Sequence, residues 1–221
     1  MKIGVLFSGG KDSTYAAWLA KKEGYEIECL ITLYSKNPDS FMFHTPAVEL
    51  TKKQAELMNT PLITRETLGE KETELKDLKR AVEKAIAKHN IRGIVTGALA
   101  SDYQASRILE ICRQLKLECI NPLWHKNQIE LLKELVKNDF EVIISGVAAH
   151  PLDKKWIGRK IDEKFIEETE KLQEKYGINP AGEGGEFETL VVNCPMFKSR
   201  LSAHLIEVTG EGNAWKGLFE A

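Results

Sequence analysis

The amino-acid sequence predicts an α/β protein: a five-stranded parallel sheet with helices on both faces, followed by a smaller α+β unit. Three observations carry that prediction. Short apolar runs rich in β-branched residues alternate with amphipathic helical stretches up to Asn121, the rhythm of a parallel sheet. A glycine-rich turn joins the first strand to the first helix. After Pro122-Leu123-Trp124 the rhythm changes, which places a boundary near residue 125 and gives units of 1–125 and 126–221.

The elements follow in order. Lys2–Phe7 is a buried strand, and Asp12–Glu23 a helix with Tyr15, Trp18 and Leu19 on one face and Gly24 as its stop. Glu26–Tyr34 is a second strand. A polar loop with an aromatic tip, Ser35–His44, leads to Thr45-Pro46 as N-cap and first residue of a helix reaching Met58. Pro61–Thr64 is a short strand, Glu72–His89 a long helix and Gly93–Thr96 the fourth strand. Asp102–Leu115 is helical and Leu117–Asn121 is the fifth strand. In the second unit the pattern predicts a helix at Gln128–Lys137, a strand at Glu141–Gly146, a helix at Lys160–Tyr176, and then glycine-rich, hairpin-like sequence. A parallel sheet of this kind binds ligands beyond the carboxyl ends of its strands, where the strand order reverses.

Composition excludes several classes. With 43% apolar and 29% charged residues the chain can fill a core and keep a polar surface. A net charge of −2 argues against a broad basic face, so no nucleic-acid partner is expected. The four cysteines never form CxxC and sit in apolar runs, which predicts buried reduced thiols rather than zinc or disulfides. The apolar run after Met1-Lys2 ends at Ser8, too short for a signal peptide or membrane span, so a cytoplasmic protein is expected.

The strongest chemical signal is Ser8-Gly9-Gly10-Lys11-Asp12-Ser13, between the first strand and first helix. Two glycines let the backbone N–H groups approach an anion, and the helix aims its positive end at the same place. Lys11 adds a cation; Ser8 and Ser13 add hydroxyl hydrogen bonds. The competing reading is a turn in which Asp12 only caps the helix. The string is not a Walker A loop: Asp12 stands where a hydroxyl residue would follow the lysine, and Gly4 is one position too far from Gly10-Lys11. An acidic residue there points to a magnesium ion held between phosphates, and kinase or GTPase chemistry is disfavoured. The string resembles the PP-loop of the N-type ATP pyrophosphatases, whose fold is adenine-nucleotide α-hydrolase-like. That resemblance implies that ATP is split into AMP and pyrophosphate, with the loop gripping the leaving group and Lys11 and Asp12 at the reacting centre.

A second constellation, Gly97-Ala98-Leu99-Ala100-Ser101-Asp102-Tyr103-Gln104, follows the fourth strand and should share a rim with the first loop. Gly97 permits close backbone approach, and Tyr103, Gln104 and Arg107 supply an aromatic face, an amide and a guanidinium. Alone, the segment reads rather as an ordinary helix start, with Ser101 or Asp102 as N-cap and Arg107 as a solvated charge; its position beside the first loop turns the reading to a site. His44 stands after the second strand, where such an enzyme would hold adenine or ribose, and has a structural reading as well.

The second unit carries Gly182-Glu183-Gly184-Gly185-Glu186-Phe187-Glu188-Thr189, three carboxylates and three glycines in eight residues. If extended from Glu186, it projects Glu186 and Glu188 from one face. Such a cluster can hold magnesium, bind a cationic substrate or orient an amine; a solvated hairpin end is the plainer reading. GEGGEFET, together with Leu152-Asp153-Lys154-Lys155-Trp156-Ile157-Gly158-Arg159 and Ser101-Asp102-Tyr103-Gln104, is similar to the diphthine–ammonia ligase family over essentially the whole chain. The resemblance implies the amidation of a carboxylate on diphthine, the modified histidine of elongation factor 2. An acyl-adenylate would form, and ammonia would displace AMP. It implies ATP and magnesium as cofactors, and Glu183, Glu186 and Glu188 as partners of a trimethylammonium group or an incoming ammonium ion. Trp156 or Phe187 adds a cation–π face or simply packs. A transfer-RNA-modifying PP-loop enzyme and a non-catalytic ATP-binding adaptor are the alternatives. The first would usually show paired cysteines and a basic surface, and a glutamine-dependent enzyme would need a glutaminase unit, so free ammonia is expected.

Overall fold

A computed structural model of the chain describes residues 1–35, 48–67 and 71–221 and divides it into two compact units, Met1–Trp124 and His125–Ala221. The first runs β1 (Lys2–Leu6), α1 (Lys11–Lys22), β2 (Glu26–Ser35), α2 (Val48–Leu57), β3 (Leu62–Thr67), α3 (Lys71–His89), β4 (Gly93–Val95), α4 (Asp102–Leu115) and β5 (Glu118–Ile120). Thr45-Pro46, expected to open α2, lies outside the described residues. The five strands are parallel in the order β3-β2-β1-β4-β5. The order therefore reverses between β1 and β4, and the loops leaving those two neighbouring strands flank the crevice where such sheets take ligands.

Side-chain alternation assigns the faces. Cys29, Ile31 and Leu33 of β2 join Ile63 and Ile94 beneath Leu78, Ala81, Val82 and Ala85 of α3 and Ile108, Ile111 and Cys112 of α4. Burying each such large aliphatic side chain contributes roughly 1.5–3 kcal/mol. Gly4 of β1 faces the same cluster; a Cβ there would meet Ile91, Ile31 and Ile94 at 3.0, 3.2 and 3.3 Å, so three isoleucines occupy its place. α1 packs against β1, β2 and β4. Its end is closed by the N–H groups of Gly24 and Tyr25, which donate to Lys21 O and Ala20 O at 3.1 Å each, the paired bonds of a Schellman stop.

The second unit comprises α5 (Gln128–Lys137), β6 (Glu141–Ala148), α6 (Glu163–Tyr176), β7 (Phe187–Asn193), β8 (His204–Glu211) and β9 (Ala214–Glu220), with a single 3-10 turn at Lys154–Trp156. Its antiparallel sheet has the order β7-β6-β9-β8. Leu131, Leu132, Val142, Ile144, Phe165 and Val191 are buried in its core. α6 starts at Glu163, later than the expected Lys160. Lys160 bridges Ile143, Ile161 N–H donates to Val142 O at 2.8 Å, and Asp162 caps the helix by accepting from Phe165 N–H at 2.8 Å. Strand β6 passes Gly146, which lies at a register shift against β7 instead of ending the strand.

All four cysteines are free, and three are buried. Burial pushes the Cys29 thiol up to about 12. Cys112 and Cys119 hydrogen-bond one another across α4 and β5, which raises Cys112 and lowers Cys119 below an ordinary thiol. Because the thiolate is the reactive form, iodoacetamide at pH 8 is expected to label Cys119 before Cys29 in the native protein. Peptide mapping that finds equal rates at the two would contradict these surroundings. Among the described residues no helix is long and apolar enough to cross a membrane.

Candidate functional site

The chain leaves β1 through a tight glycine turn. Gly9 has φ +78°, a left-handed conformation that L side chains rarely adopt, and a Cβ there would collide with Gln54 Oε1. Gln54, fully buried on α2, donates from Nε2 to Gly9 O at 2.9 Å and fastens the turn to that helix. Thr32 of β2 holds the chain two residues earlier, its hydroxyl donating to Phe7 O at 2.6 Å. Neither was legible as a site residue, although a glutamine on the same face as Leu50 and Thr51 was a signal: a buried amide needs a partner.

The N-cap of α1 is Gly10, in an extended conformation and without a side-chain cap. Asp12 is the second residue of the helix, so it does not cap, and that competing reading is set aside. The first N–H groups of α1 keep the capacity for a ligand that a capping side chain would consume. Ser8 Oγ and Ser13 Oγ share a hydrogen bond at 3.0 Å, and Ser8 N–H donates to Ser13 Oγ at 3.2 Å. Lys11 is 3% exposed and sets its Nζ 2.7 Å from Asp12 Oδ2. The other carboxylate oxygen, Asp12 Oδ1, is buried with no hydrogen-bond partner among the described residues. An orphaned carboxylate oxygen at a helix start is a donor suited to a divalent ion. Among the described residues no group of three His, Cys, Asp or Glu side chains forms a cage. Magnesium binding through one or two carboxylates plus substrate phosphates needs no such cage.

Gly97 joins the second constellation to the first. A Cβ at Gly97 would lie 2.6 Å from Asp12 C, 2.7 Å from Ser13 N and 2.8 Å from Asp12 O. The loop after β4 thus rests on the backbone of the first turn of α1. Ser101 occupies the cap position of α4, its carbonyl accepting from Ala105 N–H at 3.0 Å. Tyr103 and Arg107 are exposed on that helix, and the guanidinium lies 5.2 Å over the tyrosine ring. Gln104 belongs to α4, its side chain outside the description, and His44 lies outside the described residues.

In the second unit the acidic motif is folded around one of its own carboxylates. Glu186 is 7% exposed. Its Oε1 accepts from Asn179 N–H and Asn179 Nδ2–H, both at 2.8 Å, and its Oε2 from Gly184 N–H at 2.7 Å. Gly182, at φ +76°, turns the backbone tightly enough that a Cβ would stand 2.9 Å from Phe187 O. The motif is therefore no solvated hairpin end. Glu183 and Glu188 are half-buried, Glu188 beside Gly146 of β6. Phe187 is buried edge-on against Phe165 at 5.7 Å. Trp156 packs on Phe165, and its face is covered by the Arg159 guanidinium at 4.1 Å. Arg159 is held in turn by Glu168 at 2.7 Å. The cation over Trp156 is the protein's own. Gln128 and Asn179, which organise the acidic loop, were not foreseen.

Comparison with known proteins matches both units. Residues 1–119 fit the diphthamide synthase N-terminal domain and residues 127–219 the diphthamide synthase C-terminal domain. The chain belongs to the diphthamide synthase family. It is 34% identical to the diphthine–ammonia ligase of Bos taurus over 94% of this chain and 85% of that protein. It is 36% identical to the diphthine–ammonia ligase of Rattus norvegicus over 91% and 82%. A solved structure described as a predicted subunit of tRNA methyltransferase from Methanocaldococcus jannaschii covers 88% of this chain, with 98% of its own length, at 20% identity and a TM-score of 0.45. Membership of the diphthamide synthase family makes the chain a ligase that forms a carbon–nitrogen bond.

Proposed function

We propose that the chain amidates the diphthine carboxylate of elongation factor 2 with ammonia. The carboxylate attacks the α-phosphorus of ATP, pyrophosphate leaves, and ammonia displaces AMP from the acyl-adenylate to give diphthamide. The observation that carries this reading is the first turn of α1: an uncapped helix start, the buried Lys11–Asp12 pair and the Gly97 loop seated on its backbone. Lys11, the hydroxyls of Ser8 and Ser13, and the backbone of Gly9 and Gly10 hold the departing pyrophosphate. Asp12 would hold magnesium, which when bound would supply positive charge for the leaving group. His44 and Gly97 are assigned to nucleotide binding, and Tyr103, Gln104 and Arg107 to substrate binding. In this reading residues 1–124 bind ATP and residues 125–221 supply the receptor for the cationic part of the substrate. Glu183 and Glu188 receive the trimethylammonium group or the incoming ammonium ion, while Glu186, whose oxygens are bound within its loop, shapes that receptor. Elongation factors and ATP place the work in the cytoplasm.

The test is product analysis. Purified protein, labelled ATP, magnesium and ammonium chloride with diphthine-bearing elongation factor 2 should yield AMP and pyrophosphate. The factor's mass should fall by the difference between a hydroxyl and an amino group. ADP as product, or AMP release that follows transfer RNA instead of the factor, would overturn the proposal.

A further inference from the structure

Gln128 is the first residue of α5 and is not needed to cap it, because Asn127 Oδ1 already accepts from Ile129 N–H and Glu130 N–H at 3.0 and 3.1 Å. Its side chain reaches instead to the segment that precedes the acidic motif. Gln128 Nε2 donates to Asn179 Oδ1 at 3.0 Å, and Gln128 Oε1 accepts from Ala181 N–H at 3.0 Å. Asn179 then places both its backbone N–H and its Nδ2–H on Glu186 Oε1. The direction of this relay is determined at both ends. A backbone N–H at Ala181 can only donate, so the Gln128 atom facing it is the oxygen and its Nε2 faces Asn179. Asn179 therefore meets Gln128 with Oδ1 and has Nδ2 left for the Glu186 carboxylate, which accepts.

We infer that Gln128 is a positioning residue for the acidic loop. Through Asn179 it holds Glu186, and hence the turn that carries Glu183 into the strand bearing Glu188, in the arrangement that receives the cationic substrate. This rests on the reading of that loop as the substrate receptor. A stretch with glycines at 182, 184 and 185 has many alternative conformations, and a bidentate amide anchored on a helix is what removes them.

The experiment compares Gln128→Met, which keeps the side-chain length and loses both bonds, with Asn179→Ala and the double variant. All are measured below their melting temperatures. Gln128→Met should raise KM for the diphthine-bearing factor about tenfold, the size of one lost well-placed hydrogen-bond pair, and leave KM for ATP unchanged. The double variant made with Gln128→Glu, which keeps the acceptor for Ala181 N–H, should match Asn179→Ala, since the remaining Gln128 and Asn179 bonds act in series. Gly184 N–H should exchange with deuterium faster in Gln128→Met. Gln128→Glu, which retains an acceptor for Ala181 but no donor for Asn179, should share these losses and serves where Gln128→Met folds poorly. Additive losses, an equal rise in KM for ATP, or unchanged exchange at Gly184 would overturn the inference. If the parent protein releases no AMP with the factor, the proposed function fails. Exchange at Gly184 then decides the relay alone: faster supports it, unchanged ends it.

Discussion

Lys11→Ala is expected to lower AMP formation by about 10²–10³-fold or more, the cost of removing one preorganised partner of developing charge, with the sheet still folded. Lys11 is almost fully buried, yet its ammonium lies against Asp12 and not in the apolar cluster of the sheet. The charge is concentrated where the helix start and the glycine turn already favour an anion, and desolvation there strengthens its pull on a leaving pyrophosphate. Removal also strips Asp12 of its paired cation, leaving a carboxylate that already has one oxygen without a hydrogen bond. Asp12→Ala should fail comparably, through lost magnesium. Rates of AMP release, paired with circular dichroism and a separate ATP-binding titration, read the effect. A Lys11→Ala protein that forms AMP within about threefold of its parent, far short of the loss one such partner should cause, would place the phosphates elsewhere.

Much of this was legible because it is local. The helices Asp102–Leu115 and Gln128–Lys137 have the bounds that their caps and apolar stripes predict, and the glycine turn before α1 announces an anion from six consecutive residues. The misjudged start of α6 is local as well. Asp162 is the capping residue, but Lys160 and Ile161 continue the helical pattern and conceal that they pair with β6. What lay beyond reach depends on strand order and distant partners. Gly97 was readable as a close-approach position. That it approaches the α1 backbone follows only when β4 is known to lie beside β1. Spacing marked Glu186 and Glu188 as a pair. It carried no trace of Asn179 and Gly184, which occupy Glu186, or of Gln128, 51 residues from Asn179. Hydrogen bonds of that span leave no period in a sequence.

Glu186→Ala is expected to separate the two halves of the reaction. The substitution strands three donors, two from Asn179 and one from Gly184, that converge on a buried carboxylate. An unsatisfied buried donor costs roughly 1–3 kcal/mol, so the second unit should lose stability of that order in urea and its loop should open. Glu186→Gln is the informative neighbour. Its oxygen can still accept from Asn179, but its amide nitrogen then faces Gly184 N–H, donor against donor, and the loss should be intermediate. In the proposed function ATP binding belongs to residues of α1 and the loops after β1 and β4, which neither change touches. Amidation of the factor should therefore collapse while the affinity for ATP, titrated without the factor, stays that of the parent. An equal fall in ATP affinity would mean that the Glu186 carboxylate serves the nucleotide, and the division of labour between the two acidic neighbours and their organiser would have to be redrawn.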